Sequence, residues 1–105
     1  MVYVKIENKL VEVSSGLDIF LKLNQTREGH HYFSGKKRNV LLASCEYVAN
    51  LLRWNNGEIK DTERLTQLEL GRLYGCESVT IRNHYQRIAE MLGVDYPLVS
   101  LIRKV

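Results

Sequence analysis

After Met1, "VYVKIENKLVEV" alternates apolar and polar residues, with Val2, Val4 and Ile6 on one side. A period of two marks a strand with one face against a core. The intervening "ENK" is turn-forming, so a short β-hairpin is expected. The period then lengthens. In "GLDIFLKLNQTREG", Leu17, Phe20 and Leu21 share one side, with Ile19 and Leu23 nearby. This predicts a helix that begins after Ser14 or Ser15 as N-cap and stops at Gly29. "HHYFSG" reads as a link to "KRNVLLASCEYVANLLRW", where Val40, Ala43, Ser44, Tyr47, Val48, Leu51 and Leu52 recur at helical spacing. That segment is apolar around much of its circumference, and the small Ala43, Ser44 and Ala49 let other helices come close. It is the expected central helix.

"NNGEIKDTE" breaks the pattern with a polar loop. Thr66 and Glu69 then have the spacing of a capping box, which starts a short helix at Gln67. Gly75 is its expected stop. A further helix is predicted from Val79 to Leu92, ended by Gly93 with Pro97 beyond, and the tail "LVSLIRKV" alternates weakly enough to pair with the N-terminal strands. The chain shows no internal repeat or linker. The expected layout is mainly α: a strand-like extension over 1–13, then a helical domain over 14–105.

Two short helices joined around a glycine form a helix-turn-helix, here at about 66–92. Counting Gln67 as first, packing requires apolar or small residues at about the fourth, fifth, eighth, tenth, fifteenth and eighteenth places, and Leu70, Gly71, Tyr74, Cys76 and Ile81 comply. His84 departs, and Tyr85 beside it supplies packing. In the second helix Ile81, Tyr85, Ile88 and Leu92 fall on an inward stripe, while Val79, Arg82, Asn83 and Gln86 share another face. That second set suits a DNA major groove. Arginine donates twice to guanine, asparagine and glutamine pair with adenine, and valine meets a thymine methyl. The same face also fits an ordinary solvated helix surface.

Charge adds modestly to this picture. The 105 residues carry 45% hydrophobic and 26% charged side chains, a formal charge of +3 and a pI near 9.0, within the range of one domain. From Arg27 to Arg38 four basic residues (Arg27, Lys36, Lys37, Arg38) face one acidic residue, Glu28. Phosphate contact or plain solvation both fit "SGKKRN". No apolar run approaches the roughly 20 residues of a membrane span, and the charged N-terminus is unlike a signal peptide, so an intracellular protein is expected.

Chemistry other than binding finds little support. Cys45 and Cys76 lack metal or redox spacing and read as small buried hydrophobes. "GHHYFSGKK" lacks the first glycine of a phosphate loop and has Lys37 where Ser or Thr would hold magnesium. His30 and His31 read as surface loop residues. No Ser, His and Asp arrangement is recognisable, and too few residues follow Gly93 for a winged helix. The expectation is therefore no enzyme, no catalytic residue, no metal, no cofactor and no small-molecule substrate.

The stretch "TQLELGRLYGCESVTIRNHYQRIAEML", from Thr66 to Leu92, closely resembles the second cyclin-like repeat of archaeal transcription factor B and eukaryotic transcription factor IIB. Its most specific part is "VTIRN.Y", Val79 to Tyr85. "SGKKRNVLLASCEYVANLL" is similar to that family's central helix, so the resemblance runs from about Ser14 to Leu92 and is strongest at its end. It implies a five-helix cyclin-like bundle whose helix-turn-helix reads a promoter element in the major groove. Val79 and Arg82 match the family's base-contacting valine and arginine. By the same resemblance Thr80, Asn83 and Arg87 are candidate phosphate or base contacts; with Asn83 and Gln86 kept in the base-reading set by their chemistry, Gln67, Ser78, Thr80 and Arg87 are the candidate phosphate contacts. Lys36, Lys37 and Arg38 are further candidates, which would position the protein without reading sequence.

The chain also departs from the family. It has one repeat and no zinc ligands in order, which points away from a complete general factor; the strand-like N-terminus stands in place of the first cyclin helix; and the loop "NNGEIKDTE" is longer than usual. Glu77 occupies the usual Ser or Thr cap position of the last helix. The leading expectation is a small transcription regulator that binds double-stranded DNA, is cytoplasmic and nucleoid-associated, and acts as a homodimer because one short helix makes few contacts. The alternative is a module that engages a protein of the transcription machinery without reading DNA.

Overall fold

The computed structural model describes residues 2–94. The alternating N-terminus forms β1 (Val2–Ile6) and β2 (Lys9–Val13), antiparallel, with Val4 opposite Val11 and Tyr3 opposite Glu12. Glu7 and Asn8 make the turn, both at positive φ (52° and 65°). This is the two-residue turn whose twist matches that of the strands. Val2, Val4, Ile6 and Val13 point into the same core as the helices, as their spacing predicts.

α1 (Gly16–Asn24) begins at Ser15, whose hydroxyl accepts from the Asp18 N–H. It is shorter than the spacing predicts. The chain breaks after Asn24 and starts α2 (Arg27–Phe33), so "HHYFSG" is largely helical and His30 and His31 lie on a helix rather than in a loop. Thr26 causes the break. Its hydroxyl donates to the Leu23 carbonyl at 2.7 Å and accepts from the Gly29 N–H at 2.9 Å, ending one helix and capping the next. Gly29 is therefore no stop. It sits inside α2 because a Cβ there would lie 2.1 Å from the Leu23 carbonyl oxygen.

The buried face of α1 also differs from expectation. Ile19, Phe20 and Leu23 are buried, whereas Leu17 and Leu21 are 50% and 47% exposed. With apolar residues at five of seven successive positions, the packing of α1 against α3 selects the side.

α3 (Arg38–Asn55) is the central helix and packs on both α1 and α5. Its buried polar side chains are satisfied. The Ser44 hydroxyl donates to the Val40 carbonyl, and Asn50 Oδ1 accepts from the Leu65 N–H at 2.8 Å. This last bond pins the end of the polar loop, which contains one 3-10 turn at Asp61–Glu63.

α4 (Gln67–Tyr74) carries the predicted capping box on Thr66 and Glu69 and ends at Gly75, in the left-handed conformation at φ 72°. α5 (Ser78–Met91) follows after three residues. The chain is mainly helical, a small bundle with a two-stranded antiparallel sheet at its N-terminus. Among the described residues no helix is long and apolar enough to cross a membrane. The segment "LVSLIRKV", expected to pair with the hairpin, lies outside the described residues.

Candidate nucleic-acid interface

α5 is fixed to the core by the four residues its periodicity predicts. Ile81, Ile88 and Leu92 are fully buried, and Tyr85 is buried with its ring edge-on to Tyr47 at 5.1 Å. Val79, Arg82 and Asn83 are exposed on the far side, with Gln86 half-buried at its margin. Three of the four residues expected to read bases thus point to solvent from the first two turns of α5.

The turn between α4 and α5 is tight. The Cys76 N–H donates to the Gly71 carbonyl at 2.9 Å, and a Cβ on Gly71 would lie 2.4 Å from the Cys76 carbonyl oxygen. Glu77 is the N-cap residue of α5, but its side chain makes no capping hydrogen bond. The Thr80 N–H donates to the Glu77 carbonyl at 3.1 Å, so Ser78 and Val79 carry the N–H groups of this end that an anion could meet. Ser78 and Thr80 are half-buried at this end.

The remaining candidates are divided by the structure. Lys37 is exposed at the start of α3 and makes no side-chain cap. Lys36 lies over the Tyr32 ring at 4.1 Å and donates to the Tyr32 carbonyl, and the Arg38 guanidinium sits 5.5 Å from the Phe20 ring. Arg87 pairs with Glu90 at 3.3 Å and Glu28 at 3.7 Å. Gln67 is half-buried beside the Tyr47 phenol. Lys37, Ser78 and Thr80 are therefore the phosphate candidates with fewest competing contacts.

Sequence reasoning missed two residues that hold the unit in place. Asn39, at the start of α3, donates to the Tyr74 carbonyl at 2.9 Å and to Gly75 at 3.4 Å. It ties the basic stretch to the α4–α5 turn. Tyr32 of α2 meets His84 Nδ1 at 2.7 Å, which explains how a polar residue fits a position that demands packing. No local pattern signals either contact.

Burial, aided by the Lys36 charge, holds the His84 imidazole below its usual range. A folded-state value below the unfolded one means that the unfolded chain binds the extra proton. The stability tied to neutral His84 is then present above about pH 6.5 and lost as pH falls. Urea midpoints should decline between pH 7 and 5, and His84→Gln should flatten that decline.

The Cys45 thiol is buried and its pKa pushed up, chiefly by desolvation, which leaves it inert as a small apolar residue. Among the described residues no three His, Cys, Asp or Glu side chains converge on a possible metal position.

Part of the chain is similar to known proteins. The chain is 34% identical over 65 residues to transcription initiation factor IIB of Pyrococcus horikoshii. Over that segment the chain is similar to transcription initiation factor IIB. The Archaeoglobus fulgidus factor IIB is 32% identical over 75 residues, 71% of this chain, and factor IIB 2 of Thermococcus kodakarensis is 34% identical over 65, or 62%. The chain spans only about a fifth of these initiation factors, 19% to 21% of their length. No family model matches the chain, and no solved structure matches it significantly.

Proposed function

We propose that this chain is a double-stranded-DNA-binding transcription regulator in which α4, the turn and α5 act as a helix-turn-helix on a cyclin-like bundle. Val79, Arg82, Asn83 and Gln86 read bases in the major groove. Lys37, Ser78 and Thr80 hold phosphates, and Lys36, Arg38, Arg87 and Gln67 join them after releasing their present partners. The observation that carries this reading is the division of α5, whose apolar stripe is buried while the exposed side of its first two turns combines donors and a valine. The similarity to initiation factor IIB supports a role in transcription, and the proposal puts that role at the nucleoid. Glu77 works against tight phosphate contact at the entry of α5, because its carboxylate shares the end of the helix that would face the backbone.

Selection of bound sequences from a random duplex pool tests the proposal. A preferred site is expected, with log affinity falling by about 0.9 per contacted phosphate against log salt. A palindromic preference supports action as a homodimer, since protein symmetry is mirrored in the site. Failure to bind any duplex at low salt, together with a stable complex with a transcription-machinery protein, would replace this reading with the protein-interaction one.

A further inference from the structure

We infer that Leu68 of α4 and Val79 of α5 together form an apolar notch that selects a thymine by its C5-methyl group. The inference rests on the DNA-binding reading above. Leu68 is 53% exposed and Val79 38%, although both are large apolar residues. They line one open groove of about 540 Å³ at the α4–α5 turn, together with Gly71 and Cys76. Arg72, one turn after Leu68, and Glu77 also line it.

The apolar part of the patch is too small for a protein partner. A stable protein interface covers roughly 800 Å² on each partner, far more than two partly exposed side chains flanked by opposite charges supply. A single methyl group needs no more than this. In the major groove thymine is the base that presents one, and an apolar side chain is its natural contact. The groove begins at the first turn of α5, so a duplex met by Arg82 and Asn83 passes beside it. Arg72, exposed on the same face of α4 as Leu68, offers a cation toward the phosphate next to that base.

The experiment uses the duplex selected from the random pool, with each thymine replaced in turn by deoxyuridine, which differs only by the missing methyl. The wild-type protein should lose about fourfold in affinity at one position, the worth of one buried methyl group. Leu68→Ala, at an exposed position that leaves the core untouched, should prefer thymine over deoxyuridine less than wild type does, and adding Val79→Ala should abolish the preference. The single variant should keep the wild-type salt slope and the preference at the Arg82 base pair. Unchanged binding on every deoxyuridine replacement, or a methyl effect of full wild-type size in Leu68→Ala, overturns the inference and leaves the DNA-binding reading standing. Absence of binding to any duplex overturns both.

Discussion

Arg82→Ala is expected to weaken binding to the selected duplex by about 1 to 3 kcal/mol and to relax preference at a single base pair. The Arg82 side chain is exposed, and among the described residues no carboxylate stands within ion-pairing distance of it. Its removal therefore leaves no buried group unsatisfied, and stability should stay within about 0.5 kcal/mol of wild type. The salt slope should fall little, since a base contact releases few counterions. Competition binding against duplexes changed one pair at a time checks all three. Uniform weakening across every sequence would instead make Arg82 a phosphate contact.

Ile81→Ala, one residue earlier, should do the reverse. Ile81 has no exposed surface and lies in the stripe that holds α5 to α3 and α4. Truncating it removes buried methyl groups and leaves a cavity, at a cost of about 2 to 5 kcal/mol. The urea midpoint should drop accordingly. Below the transition, the fraction still folded should keep the base preference of wild type, because the exposed side chains are unchanged. The contrast between adjacent residues is the functional form of the helical period: a rotation of 100° per residue separates a fold determinant from a reading determinant. A comparable loss of stability in both variants would mean that α5 does not present these faces.

Much of the fold could be read from the chain because the relevant forces are local. The hairpin follows from alternation, α4 from the Thr66 and Glu69 pair three residues apart, its end from Gly75, and the inward stripe of α5 from spacings of four, three and four. The division of α1 from α2 was not legible in the same way. Thr26 and Gly29 are both residues that end helices, and only the contact with Leu23 reveals that together they begin one. In α1 the run of apolar residues leaves its burial to the neighbouring helix, so Leu17 and Leu21 face outward. For the candidate interface, Val79, Arg82 and Asn83 were identifiable from periodicity and residue chemistry. Asn39 and Tyr32 were not, since their partners lie 35 and 52 residues away and depend on how α2 and α3 pack against the last two helices.

The hairpin is also joined to the far end of the fold. The Lys5 N–H donates to the Leu92 carbonyl at 2.9 Å, and Gly93 lies against the Lys5 backbone. This sets an order on biosynthesis. The strands leave the ribosome before the residues that cover their edge, which follow only after about 4 to 17 s of elongation at 5 to 20 residues per second. During that interval Val2, Val4 and Ile6 have no complete core to enter, and the free edge of β1 is open to neighbouring nascent chains. Closure of the bundle by α5 is thus a late, long-range step, and the helix proposed to read DNA is also the one whose arrival shields the N-terminus from association with other chains.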